Sequence, residues 1–293
     1  MKAAWPIVKW LLLALTLGLV GWALAGPIKT LLADPPSVDW RWVPASTAAA
    51  ACVFLAQLVA YRALLHGLGH ELSWRATAQC VWVPILGKYV PGKVWAIGTA
   101  ATLLRSHGVP VAVALSCYLI LDGLAVMFGL LFGGWLLPEQ QIVAVVVVIA
   151  AIVVLHPAVF GQLIALGLRL TKKPPLERPL RFKDYFAPAL SAIAQWVFYG
   201  LSTLLMLNAL TNVGVEALPR CIATAALAQT IGYLALFAPG GLGVREGIYA
   251  LGLSTVVSPE LAAAVALLMR AQSIIVEAGA ALTGLALGRR AAV

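Results

Sequence analysis

"ILGKYVPGKVW", residues 85–95, and "APGGLGVREG", residues 238–247, each set proline, glycine and charge inside a chain that is apolar on both sides. Whether the backbone crosses a membrane at these two places or turns back decides the fold. Composition sets the frame. With 62% hydrophobic and only 11% charged residues, and a mean hydropathy of +0.97, the chain lies far from a soluble domain and reads as an all-α polytopic membrane protein.

A spanning helix needs roughly 20 apolar residues. Such stretches lie near 7–25, 44–65, 109–136, 140–168, 186–210, 218–238 and 259–287, which predicts a single integral membrane domain over 1–293 with about seven full spans. Two further stretches, 76–107 and 239–257, carry the quoted motifs and fit no simple crossing. The N-terminus, with Lys2, Lys9, an apolar core and "ALA" at 23–25, suits an uncleaved first span as well as a secretory signal.

Lysine and arginine in short loops set orientation. The loop 169–184 holds Arg169, Lys172, Lys173, Arg178, Arg181 and Lys183 against Glu177 and Asp184, and is expected in the cytoplasm. Lys2, Lys9, Arg289 and Arg290 fall on the same side, so both termini are expected in the cytoplasm of a bacterial-type inner membrane. Trp5, Trp10, Trp40, Trp42, Trp74 and Trp135 sit near span ends, where an interfacial belt places them. The net charge of +9 then reads as topology and attraction to anionic lipid, and no nucleic-acid partner is expected.

On this count residues 76–107 enter from the cytoplasm and return, turning at Pro91 and Gly92. Residues 239–257 turn at Pro239 to Gly243 from the opposite face. Each hairpin leads to a proline that opens a long span: Pro110 before the span holding Asp122, and Pro259 before the span holding Arg270 and Glu277. Two re-entrant Pro-Gly hairpins in an inverted repeat point to a transporter site near the midplane. A backbone that turns inside a membrane must be covered by protein or line a hydrated cavity. Helix arms starting at such turns aim N–H groups inward, which suits phosphate, and Gly92, Gly240, Gly241 and Gly243 permit close approach.

Arg245 and Glu246 are neighbours on one helix and cannot face each other. Each charge costs about 2.5–3.5 kcal/mol at a span centre unless it is partnered. Asp122 and Glu277 are the candidate partners of Arg245; Arg270 or Lys93 are those of Glu246. A phosphate would be neutralised by Arg245 and Arg270, with Lys93 contributing from the first hairpin and Lys88 and Arg105 as supporting charges.

"ILGKYVPGKVW" followed by Arg105 and Gly108, then "APGGLGVREG" and Arg270, together resemble the lysylphosphatidylglycerol synthetase transmembrane-region family over nearly the whole chain. The resemblance implies a flippase-like membrane domain that moves an anionic phospholipid or a polyprenyl phosphate carrier between leaflets. In some members it is fused to a cytoplasmic synthetase, so a lipid-modifying enzyme is an expected partner, and the aminoacyl transferase activity is not expected here.

Enzymatic alternatives find little support. "DGLAV" at Asp122 lacks the further aspartates a metal-dependent head-group transferase needs, and His66 and His70 stand one helical turn apart without a third ligand. No cofactor or metal is expected, and no Walker or G-x-S-x-G motif is present. Cys52, Cys80, Cys117 and Cys221 read as packing residues, and Gly129/Gly133 and Gly284/Gly288 as sites of close helix contact. Two rival readings are a non-transporting scaffold presenting Lys172 to Lys183 to a cytoplasmic synthase, and an intramembrane lipid or glycosyl transferase.

Overall fold

The computed structural model describes residues 36–89, 94–134, 156–170, 180–235 and 237–289, with short pieces at 29, 32–33, 145–146, 149, 152–153 and 178. The expected spans at 7–25 and over most of 140–168, much of the basic loop, and Pro91, Gly92 and Lys93 lie outside the described residues. What is described is helical: α1 (Trp42–Gly67), α2 (Trp74–Trp82) running into a 3-10 segment (Val83–Tyr89), α3 (Val94–Ser106), α4 (Val111–Gly133), α5 (Pro157–Leu170), α6 (Phe186–Leu210), α7 (Leu218–Leu234), a 3-10 turn (Pro239–Gly241), α8 (Val244–Leu253) and α9 (Pro259–Arg289).

Among the described residues four helices are long and apolar enough to cross a membrane: Trp42–Gly67, Val111–Gly133, Phe182–Leu210 and Pro259–Gly288. These match the expected spans at 44–65, 109–136, 186–210 and 259–287. The fifth stretch that can be checked, 218–238, is not among these four. It forms α7, about 26 Å long at 1.5 Å per residue, and the chain then reverses through the 3-10 turn into α8. Arg220 Nε on the first turn of α7 donates to the carbonyl of Gly252 at the end of α8, 3.1 Å away, so the pair closes into a hairpin whose ends meet. The three left-handed glycines that follow α7 reverse the chain.

The segment 74–106 folds into a second hairpin. Ser73 caps α2 by accepting from the Ala76 N–H at 3.3 Å, and His107, just past α3, lies 3.4 Å from Gln79 on α2. Toward its tip Gly87 lies against the backbone of Ala96, where any Cβ would come within 2.6 Å of the Ala96 nitrogen.

The elements repeat in order: long helix, hairpin, long helix. α1 leads to the first hairpin and α4; α6 leads to the second and α9. α1 and α6 pack together along their lengths. They run antiparallel, since the Asp39 N–H donates to the Ala209 carbonyl at 2.8 Å while Gly67 at the far end of α1 packs on Asp184, just before α6. Each hairpin then packs on the closing helix of the other unit: α2 and its 3-10 segment on α9, and α7 on α4. Both contacts use the paired glycines. Gly129 and Gly133 of α4 meet Thr230 and Leu227 of α7, and Gly284 and Gly288 of α9 meet Ala78, Val83 and Gln79 of the first hairpin. Small residues four apart let helices approach where lipid supplies no hydrophobic drive between them.

The buried polar groups pin this frame. Gln272 of α9 donates to Ser46 at 2.8 Å and accepts from Ser202 at 3.1 Å, joining α9, α1 and α6. Trp82 Nε1 donates to the Phe54 carbonyl at 3.2 Å and Trp196 Nε1 to that of Ala125 at 3.1 Å. Cys80, Cys117 and Cys221 are buried free thiols and Cys52 is half-buried, as packing residues should be.

The two ends of the bundle differ in charge. The end where the first hairpin opens holds Arg62, Arg75, Arg105, Arg181 and Lys183 against Glu71 and Asp184. The opposite end, where the second hairpin opens, holds Arg41 and Arg220 against Asp39, Glu216 and Glu260. Trp74 is exposed at the first end and Trp40 and Trp42 at the second.

Candidate functional site

The two hairpins enter from opposite ends and their tips meet in the interior, the 3-10 segment Val83–Tyr89 touching the turn Pro239–Gly241. α9 passes both. Its Arg270 Nη1 donates to the Gly240 carbonyl at 2.8 Å, and Arg270 Nε lies 3.3 Å from Glu246 Oε1. Seven residues on, two turns along the same face, Glu277 Oε1 accepts from Lys88 Nζ at 2.5 Å. One helix thus holds the tip of each hairpin with a charge of the complementary sign.

The motif 238–247 explains itself in this geometry. Gly240, Gly241 and Gly243 have φ of 59°, 73° and 81°, the left-handed region that a Cβ disfavours. This run of turns starts α8 at Val244. Glu246 reaches back so that its Oε2 accepts the Gly243 N–H at 2.8 Å, capping the helix while its other oxygen faces Arg270. Glu246 thus takes up the Gly243 N–H, one of the donors expected to face a phosphate at this helix start.

Arg245 is different. It is 9% exposed, its Nε is buried without a hydrogen-bond partner, and its side chain makes no ion pair among the described residues. Its stem lies between two glycines: a Cβ on Gly232 of α7 or on Gly241 would come within 2.8 Å of Arg245 Nε. The expected partners are engaged elsewhere. Glu277 holds Lys88, and Asp122 Oδ2 accepts from Tyr233 at 2.6 Å. Of the expected pairs between described residues, only Arg270 with Glu246 forms. Arg105 is exposed near the open end of the first hairpin and does not join the cluster.

Arg245 borders a cavity of about 250 Å³ with Lys88, Asp122, Glu277, Gly240 and Gly241. The remaining walls are largely apolar and aromatic, among them Phe54, Tyr61, Tyr118 and Trp196. The lining draws on the later half of α1 and the earlier half of α6, and on no residue of α9 before Glu277. The space therefore runs from the hairpin tips toward the basic end, and the second hairpin and its core, around Tyr249, Leu253 and Met269, close it from the other. Sequence reasoning missed Gly232, whose signal was an isolated glycine inside a helical run, and it missed the cavity-lining Gln57, Gln195 and Tyr233.

Long apolar helices, opposed hairpins and buried charges around an internal cavity define a multi-pass helical membrane protein with its polar site inside the bundle. The family model for the lysylphosphatidylglycerol synthase TM region matches residues 9–280 of the 293-residue chain. The chain belongs to that family, which places it in membrane lipid metabolism or translocation. No curated protein and no solved structure matches it.

Proposed function

We propose that the protein is a flippase-like lipid translocase that moves an anionic phospholipid or lipid-linked phosphate between leaflets of a bacterial-type inner membrane without changing it chemically. The observation that carries this reading is Arg245: a guanidinium nine-tenths buried, without an ion-pair partner among the described residues, beside a cavity whose walls away from the charged cluster are largely apolar and aromatic. A buried cation of this kind calls for an anion, and the apolar walls suit the rest of a lipid. Gly240 and Gly241 let a headgroup come close to the backbone, while Arg270 and Lys88 are each balanced by a glutamate and leave Arg245 as the cation to be answered.

In this reading the two hairpins are re-entrant and the two units form an inverted repeat. α8, about 15 Å long, is half the roughly 30 Å hydrocarbon thickness, and the hairpins open at opposite ends, which supports dipping from opposite faces. The basic end faces the cytoplasm by the distribution of arginine and lysine, so the cavity receives lipid from the cytoplasmic side. A cytoplasmic lipid-modifying enzyme fits as the supplier of such a lipid.

The test is reconstitution in liposomes with a headgroup-labelled anionic lipid and a zwitterionic control, followed by leaflet-selective quenching and mass analysis of the recovered lipid. The expected result is protein-dependent movement of the anionic lipid at unchanged mass, lowered about 10- to 100-fold by Arg245→Gln, the value of a charge-assisted hydrogen bond. Movement indifferent to Arg245→Gln, or a lipid of altered mass, refutes the proposal.

A further inference from the structure

The cavity is not enclosed on every side. Of its described lining residues only two are exposed, Ile97 of α3 at 38% and Tyr233 of α7 at 39%. α4 packs against both helices, while α3 and α7 scarcely touch one another. Asp122 of α4, half-buried and also lining the cavity, accepts through Oδ2 from the Tyr233 hydroxyl at 2.6 Å.

Depth decides what lies outside this gap. Asp122 is about 17 Å along α4 from the basic end, and Tyr233 about 22 Å along α7 from the other. Together these lengths make up that of α1, about 39 Å for its 26 residues, so the bond sits midway along the bundle. Ile97 lies about 14 Å from the basic end of α3. With a hydrocarbon layer roughly 30 Å thick, the gap faces acyl chains and not water, and the neighbouring Leu119 and Leu234 are exposed as lipid-facing residues should be. A carboxylate in such a place is costly to keep. It is not needed to seat α7, which already meets α4 at Gly129 and Gly133 through Thr230 and Leu227. What the Tyr233 bond holds is the last turn of α7 beyond that seat, beside the cavity.

We infer that the cavity opens sideways into the hydrocarbon between α3 and α7, and that the Tyr233–Asp122 bond is the latch across this mouth, whose release lets acyl chains follow a headgroup bound inside. That the passenger is a lipid rests on the reading above; the mouth and its latch do not.

The test places a thiol inside the cavity as Thr230→Cys in the full-length protein reconstituted in vesicles, Thr230 being a lining residue that is 1% exposed. Two reagents approach it by different routes: a maleimide on a dodecyl chain, dissolved in the bilayer, and a sulfonated maleimide held in the water on both sides. Labelling at position 230 is read by peptide mass, so the native cysteines stay in place. The dodecyl reagent is expected to label the thiol, about tenfold faster with Tyr233→Phe, the worth of one hydrogen bond to a charged acceptor. Ile97→Trp, which fills the mouth, should slow it several-fold, and the sulfonated reagent should respond to neither change. A dodecyl rate indifferent to Tyr233→Phe overturns the latch, and one indifferent to Ile97→Trp overturns the mouth. Equal acceleration of both reagents also overturns the mouth, because the opening would then lead to water. Labelling that follows the latch in a protein that moves no anionic lipid overturns the translocase reading and leaves the mouth standing.

Discussion

The two hairpins bring the same device to one place with different chemistry. The first carries a lysine in a 3-10 segment, and that lysine is consumed by Glu277. The second carries Arg245 and Glu246 side by side after a run of left-handed glycines; the glutamate is consumed by the helix start and by Arg270, and the arginine is left over. Among the described residues the two hairpins thus divide the work, one locking the interior and the other presenting a cation to the cavity. The difference comes from residue spacing. Neighbours on a helix point apart, so one side chain of the Arg-Glu pair faces α9 and the other lies against Gly232 and Gly241.

The widest separation between the two should come from Glu277→Leu. Breaking a buried pair on one side costs about 3–5 kcal/mol, so chemical denaturation in detergent should show a loss near the lower end of that range, Lys88 being a quarter exposed. The double variant Lys88→Met/Glu277→Met should recover most of it, because apolar replacement of both partners is often neutral. A first hairpin that presents its lysine to lipid would instead lose lipid retention in the double variant at restored stability, and the division of labour would be gone.

On the second hairpin, Gly232→Leu should act like Arg245→Gln. It keeps the charge but fills the space beside the arginine stem, so anionic lipid retention should fall about 10-fold or more. Retention at the wild-type level would mean that Arg245 reaches the ligand from some other position. A finer comparison uses the helix seats: Gly129→Ala and Gly284→Ala each place a methyl group against the opposing hairpin and should cost about 1–3 kcal/mol of stability by overpacking. Similar costs would support equivalent seats, and a cost confined to one would show that the repeat is not matched in energy. Ser46→Ala belongs in the same range, about 1–3 kcal/mol, because it removes the bond that Ser46 donates to the Ser202 carbonyl and the one it accepts from Gln272 in a fully buried place.

Much of this was legible in the sequence because it is written locally. Proline opens α4 and α9, glycine pairs four apart mark the seats, and the two motifs mark places where the chain turns or breaks. The pairing of Arg270 with Glu246 followed from a short choice of partners. Arg245 was assigned to Asp122 or Glu277 because charge balance along the chain says nothing about depth. Lys88 reaches Glu277 only because α2 continues as a 3-10 segment, which lengthens the arm. α7 has nearly the length and hydropathy of a span, and the left-handed glycines beyond it turn the chain back. Gln57 and Gln195 are 138 residues apart and carry no local signal of their meeting.

The bond between Lys88 and Glu277 joins residues 189 positions apart. At roughly 5–20 residues per second of synthesis, the lysine is made on the order of 10–40 s before its carboxylate. Throughout that interval the first hairpin lacks the carboxylate that holds its lysine, and α9, the last helix described, supplies it. The lock on the first hairpin is therefore among the late events of synthesis, and a chain halted before residue 277 has the hairpin without its lock.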